Sequence, residues 1–365
     1  MKKINIVVTS DDSYIQHLGC MLISLFNNAA NPQLVHIYFL DHGVNTASRN
    51  SVINICSKYK AEVHFINIDP VIFENFYISG HVNQVSYYRI LAPEILPNSI
   101  KRFIYLDSDL IISGDIESLY DTDLREQIIG AVLDPIGSER FSDLNISNKR
   151  YFNAGVLVVD IEKWKESDIT VKTLDFIKNF TGELKFWDQD ALNAVLFDSW
   201  SEVDISWNVQ TSMFVGDEYR ESVSVPQIIH YTSEKKPWNI ICNHPFKEQY
   251  YVYLAQSEWK DFSPIPYEVR QLLKANKKIA IFGTGELARA FFNLVDGEQV
   301  ICFVDNNKSK QGTLFLNKEV IAPNSLHQYR DCFIIVCSFY YEEIKVQLEG
   351  LQYIEDSHFY KISAS

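Results

Sequence analysis

The 365-residue sequence lacks a positive charge excess, a cysteine framework and any long apolar run. Its 33 lysines and arginines stand against 47 aspartates and glutamates, a formal net charge of -14. That balance argues against a general nucleic-acid partner, whose phosphates call for a basic face. An anionic substrate would then need local help from a metal, lysine, arginine or histidine. The six cysteines form no Cys-x-x-Cys pair, and several sit inside apolar runs such as Val300-Ile301-Cys302-Phe303. They read as reduced core residues of a cytoplasmic protein. Behind Met1-Lys2-Lys3 the apolar run covers only Ile4 to Val8, too short for a signal-peptide core. No segment reaches the ~18 apolar residues of a membrane span. Peripheral contact with the inner membrane face stays open. Internal repeats and low-complexity tracts are absent too.

What is present is core-forming material: 47% hydrophobic residues and 13% aromatic ones, over a length that suits two domains. The organising stretch is Arg102-Phe103-Ile104-Tyr105-Leu106-Asp107-Ser108-Asp109. An apolar run without a polar face reads as a buried strand. Its end delivers Asp107 and Asp109 to the carboxyl edge of a sheet, where open α/β folds bind ligands. Residues i and i+2 of an extended chain point the same way, and two like charges there call for a cation between them. Oxygen ligands select Mg2+ or Mn2+. The competing reading is an acidic turn.

Before that stretch, strands at Ile4–Thr9, Val35–Leu40 and 62–67 alternate with helices from Tyr14 and Thr46, which implies parallel strands joined by right-handed crossovers. Ser10-Asp11-Asp12-Ser13 links the first strand to its helix without a Gly-x-Gly, so carboxylates there suit a base or ribose better than a phosphate. Asp12 or Ser13 as helix N-cap would leave Asp11 free. Gln84 to Leu91 reads as a helix, with Arg89 among apolar neighbours, paired to an aspartate or reaching the ligand. His36 and His64, inside strands, read as packed or surface residues.

After it, a strand ends at Asp134, and residues 135–149 read as a lid or substrate-binding loop. Asn153-Ala154-Gly155 opens an apolar strand whose small residues admit a ligand close to the backbone. Asp188 is an N-cap candidate for the helix that follows, and Gln189 could point its amide into a cleft. His230 ends a strand, as a metal ligand can, and Lys236 nearby offers a point charge for phosphate.

The motifs Thr9-Ser10-Asp11-Asp12-Ser13-Tyr14, Tyr88-Arg89, Tyr105-Leu106-Asp107-Ser108-Asp109, Tyr151-Phe152-Asn153-Ala154-Gly155-Val156-Leu157, Asp188-Gln189-Asp190 and His230-Tyr231 with Lys236-Pro237-Trp238 together resemble the family-8 glycosyltransferases. These are retaining, metal-dependent, UDP-sugar-using enzymes of the GT-A fold. The resemblance covers roughly residues 1–260. It implies a mixed, mainly parallel sheet and Mn2+ (or Mg2+) on Asp107, Asp109 and His230. The donor site would hold Thr9, Asp11, Ser13, Arg89, Asp107, Ser108, Asn153, Ala154, Ser233 and Lys236. Within it, Asp11 would meet the uracil, the Ser108 backbone the ribose and Lys236 the diphosphate. Asp134 would face the acceptor, and Asp188 and Gln189 would be catalytic. Ser13 and Ser233 depart from the Asn and Gly frequent in bacterial members. Retention normally calls for a nucleophile, and the amide of Gln189 is a poor one, so front-face attack is favoured over double displacement. The implied reaction moves a hexose from UDP-glucose or UDP-galactose to a glycan or protein-linked acceptor, for cell-surface polysaccharide. A UDP-sugar-binding scaffold with lapsed catalysis is the alternative.

Residues 261–276 read as a linker and 277–365 as a small Rossmann-like α/β domain. Lys278 to Ala288 runs as a strand, Gly-x-Gly-x-x-Ala and a helix, and Asp305 ends the next strand at the spacing of a ribose contact. A third strand is expected at 332–337. An interaction role is favoured for this domain over nucleotide binding, with a second copy or a partner docking there. An NAD-dependent oxidoreductase lacks a second domain half.

Overall fold

A computed structural model describes residues 2–68, 87–214, 223, 225–275 and 278–363. The chain separates into two compact units, 1–233 with 248–260, and 234–247 with 261–365. The single boundary expected at residue 260 is therefore replaced by a crossover: 234–247 leaves the first unit, and Ile240 and Ile241 enter the core of the second.

Among the described residues ten strands build the first unit: β1 (Ile4–Thr9), β2 (Val35–Asp41), β3 (Glu62–Asn67), β4 (Arg102–Leu106), β5 (Leu110–Ile112), β6 (Ile129–Leu133), β7 (Phe152–Asp160), β8 (Trp200–Glu202), β9 (Val209–Gln210) and β10 (Ile228–His230). The main sheet runs β3-β2-β1-β4-β7-β6-β8. Strands β1 to β4 are parallel, and β7 is antiparallel to both β4 and β6. Every residue of β1 and β2 is buried, as apolar runs without alternation require when both sheet faces are covered. Helices α1 (Ile15–Asn28) and α2 (Thr46–Lys58) make the first two crossovers. Helix α3 (Tyr88–Ile95) starts later than the expected Gln84, and positions 84–86 lie outside the described residues. A separate small sheet, β5-β10-β9, sits at the end of β4.

The second unit holds β11 (Ile279–Phe282), β12 (Val300–Val304), β13 (Leu314–Phe315), β14 (Lys318–Ile321), β15 (Phe333–Val336) and β16 (Phe359–Lys361). Its order is β13-β14-β12-β11-β15-β16, with all but the β13 edge parallel. This is a fuller Rossmann-like sheet than the three strands expected. Strands β14 and β16 escape a hydrophobic reading because they are short and half-exposed. No described helix is long and apolar enough to cross a membrane.

Candidate active site

Strand pairing brings the site together. At the end of β4 the Asp107 N–H donates to the Gly155 carbonyl, 2.9 Å. Because β7 runs against β4, with Leu106 opposite Val156, the start of β7 lies beside the end of β4. Strand β5 pairs antiparallel with β10, placing His230 opposite Leu110, and the Tyr231 N–H reaches the Asp109 carbonyl at 3.1 Å. His230 Nε2 then lies 3.3 Å from Asp109 Oδ1 and 3.8 Å from Asp107 Oδ2. One ligand atom from each of the three lies within 4.8 Å of the others.

The imidazole is oriented from behind. The Asn208 amide donates to Asn153 Oδ1, 2.9 Å, so Asn208 Oδ1 faces His230 Nδ1, also at 2.9 Å. That pattern assigns the proton to Nδ1 and turns the Nε2 lone pair towards the two carboxylates. Two carboxylates and a nitrogen lone pair aimed at one spot fit a divalent cation. Gly155 makes the convergence fit. A Cβ there would stand 2.3 Å from His230 Cε1 and 2.6 Å from Asp107 Oδ2. The small residue expected to admit a ligand therefore admits the chain's own His230 and Asp107 side chains.

Arg89 on α3 ties the acidic groups together. Its Nη2 is 3.1 Å from Asp107 Oδ1 and its Nε 2.8 Å from Asp188 Oδ2, and its guanidinium lies 4.6 Å from the Tyr105 ring centroid. The Tyr105 hydroxyl also donates to Asp107 Oδ1, 2.9 Å. Arg89 thus pairs with Asp188 and also reaches Asp107. Asp188 is not an N-cap: the helix Trp187–Leu196 has Phe186 in that place, with no side-chain cap. Burial pushes the Asp188 carboxyl up to about 6, against the Arg89 guanidinium that draws it down.

Beyond Arg89 an amide network begins. Asp134 Oδ2 accepts from Asn153 Nδ2 at 3.1 Å and from Gln189 Nε2 at 3.0 Å. Gln189 Oε1 in turn accepts the Ala154 N–H, 3.0 Å. Asp134 is 4% exposed, and burial raises its pKa against these two amides. The segment after it begins as a 3-10 helix, Pro135–Arg140. Arg140 is fully buried on Asp190, which also takes the Tyr151 hydroxyl at 2.6 Å.

On the β1 side, the Ser108 hydroxyl donates to the Thr9 carbonyl (2.8 Å) and the Thr9 hydroxyl to Leu40 (3.1 Å). Asp11 is not the free carboxylate expected. Its Oδ1 accepts the Ser13 hydroxyl at 2.5 Å and the Tyr14 N–H at 3.0 Å. Asp12 reaches across to α2, accepting from the Ser48 hydroxyl (2.6 Å) and the Asn45 N–H (3.1 Å). Neither Asp12 nor Ser13 caps α1, whose N-cap is Tyr14. Ser233 ends the first stretch of unit one, and Lys236 falls in the 234–247 segment of the second unit.

Sequence reasoning missed Asn208 and Tyr105. Asn208 carries no motif; the one hint is a polar residue between Trp207 and Val209. Tyr105 was absorbed into a strand pattern, although its hydroxyl leads to the first aspartate. His36, Glu62 and His64 form a second group with ligand atoms within 4.8 Å, on β2 and β3.

Comparisons with known proteins agree with this architecture. The family model "Glycosyl transferase family 8" matches residues 5–242, and a model described as "C2185-like, N-terminal" matches 275–359. General stress protein A of Bacillus subtilis is 34% identical over 70% of this chain and 94% of its own length. Lipopolysaccharide 1,2-glucosyltransferase of Escherichia coli is 24% identical over 72% of this chain and 80% of its own. Among solved structures, the galactosyltransferase LgtC in complex with donor and acceptor sugar analogues is 23% identical and has a TM-score of 0.63. That match covers 73% of this chain and 99% of LgtC, a likeness of fold.

Proposed function

We propose a reaction for this chain, which belongs to glycosyl transferase family 8: retaining transfer of glucose or galactose from a UDP-sugar to a glycan or protein-linked acceptor of the cell surface. The observation that carries it is the convergence of Asp107, Asp109 and His230 within 4.8 Å. The names of a glucosyltransferase relative and a galactosyltransferase neighbour support a hexose donor.

Asp107, Asp109 and His230 would hold Mn2+ or Mg2+, which supplies charge neutralisation for the diphosphate of the departing UDP. Arg89 holds Asp107 in place. Thr9, Asp11, Ser13 and the Ser108 backbone line the uridine side, and Ser233 takes the diphosphate side. Asn153, Ala154 and Gln189 hold the sugar, and Asp134 faces the acceptor. Both of its Oδ2 amide contacts come from sugar-side residues, so donor and acceptor positions are coupled through one carboxylate.

The same contacts bear on stereochemistry. Gln189 is an amide already hydrogen-bonded at both ends, and Asp188 is held by Arg89 with 5% of its side chain exposed. Neither is placed as a nucleophile, so the acceptor oxygen attacks C1 from the face the phosphate leaves. The hydroxyl proton passes to the departing phosphate oxygen, and Gln189 and Asp188 act by positioning and electrostatics. Release of UDP, assayed with Mn2+ against a panel of nucleotide sugars, tests the proposal: UDP-glucose or UDP-galactose should be turned over, and Asp109→Ala should abolish it. Donor binding without turnover would favour a scaffold. A sugar adduct trapped on Gln189 or Asp188 would overturn front-face attack.

A further inference from the structure

The second unit carries a cavity that the transfer reaction does not use. Its volume is about 460 Å3, and it opens at the carboxyl ends of β11, β12 and β15. In the chain order of the parallel strands, β11 and β15 are neighbours while β12 lies on the other side of β11, so the strand order reverses here. Such a reversal is where open α/β sheets form a crevice. Gly285, Asp305 and Lys310 line it together with the aromatic Phe339 and Tyr340.

Each wall has a definite state. Gly283 has φ +117, and a Cβ there would strike the Cys337 carbonyl at 2.4 Å, so that glycine serves the turn. Gly285 differs. Its φ is -89, and a Cβ would meet nothing within 4 Å, so its missing side chain leaves open space in the cavity. Asp305 is fixed at the end of β12 by the Thr284 hydroxyl and by the Asn307 N–H at 2.8 Å. Lys310 Nζ lies 2.8 Å from Thr284 Oγ1 and 3.5 Å from Asp305 Oδ2. Glu286, an acid beside the loop, is paired with Lys235 at 2.7 Å, and Glu343 also lines the cavity. Phe339 and Tyr340 are 79% and 71% exposed, which is costly for two adjacent rings unless something covers them.

We propose that this cavity binds a single ribonucleotide unit, with the ribose diol on Asp305, the phosphate beside Lys310 over Gly285, and the base against Phe339 and Tyr340. A carboxylate has about four acceptor positions, so the contacts already made leave room for a diol. Aromatic faces take any base, which gives little base selectivity. The volume sits near the small end of ligand cavities, which fits one nucleotide rather than a dinucleotide.

The test uses the full chain carrying Asp109→Ala, with EDTA, so that the transferase site does not compete. Isothermal titration with ADP, UDP and NAD+ should show one site for the two diphosphates. Gly285→Leu fills open space at an ordinary φ, so it should keep the melting temperature and lose binding. Asp305→Asn should weaken binding about tenfold, the loss of a charge-assisted diol contact. No binding at millimolar nucleotide would overturn the proposal, and so would affinity unmoved by Gly285→Leu. Binding of NAD+ without binding of ADP or UDP would overturn the single-nucleotide reading. None of these outcomes depends on turnover at the transferase site, so each proposal stands or falls separately.

Discussion

Replacing Gly155 by alanine should disable metal binding without touching a ligand. The added Cβ would lie 2.3 Å from His230 Cε1 and 2.6 Å from Asp107 Oδ2. Non-bonded carbons settle at about 3.5–4.0 Å, so the imidazole must retreat by more than about 1 Å. Metal sites tolerate only about 0.2 Å in ligand distance. His230 is 4% exposed and held at Nδ1 by Asn208, so it cannot swing aside at no cost. Overpacking of this kind costs roughly 1–3 kcal/mol of stability. Mn2+ affinity should fall about 10–100-fold or more, as when a supporting contact to a metal ligand is lost. The assay is a Mn2+ titration followed by electron paramagnetic resonance. It is done in a His64→Ala background, because His36, Glu62 and His64 could bind a second ion. A folded Gly155→Ala protein with unchanged Mn2+ affinity would refute the argument that these side chains form one tightly packed cation site.

Arg89→Met should cost roughly 3–5 kcal/mol in urea unfolding, because Asp188 is left as a buried charge without its ion pair. Asp190→Asn should destabilise by a similar roughly 3–5 kcal/mol through Arg140, read as a fall in melting temperature. Gln189→Ala should keep the fold and lower turnover by roughly 100-fold, the scale for losing one positioned electrostatic contact. Asp188 predicts a pH effect: its folded pKa near 6 exceeds the 3.8 of a free aspartate, so the folded chain holds that proton more tightly. Its stabilising contribution is full below about pH 4 and is lost as pH rises through 6, a total of roughly 3 kcal/mol. The stability difference between the wild type and Asp188→Asn, measured in EDTA at pH 4 and pH 7, should move in that direction; parallel profiles would contradict it.

Legibility in the sequence followed the range over which each contact acts. Strands β1, β2, β4 and β7 declare themselves through predominantly apolar runs, because burial on both faces is written locally. Asp107 and Asp109 were legible for the same reason, as charges ending such a run. The local rules failed where a side chain answers to a distant partner. Asp188 stands where an N-cap is expected, yet it is claimed by Arg89 on another helix. Asp11 stands where a free carboxylate is expected, yet it closes its own turn, while its neighbour Asp12 serves α2. Asn208 has no local signature, because its task is set by where β7 places Asn153 and β10 places His230 around it. Antiparallel β7 is the element that turns these separate signals into a site. Had it run parallel to β4, Asn153 and Gly155 would lie at the opposite edge of the sheet. Neither the cradle for His230 nor the amide network on Asp134 could then form.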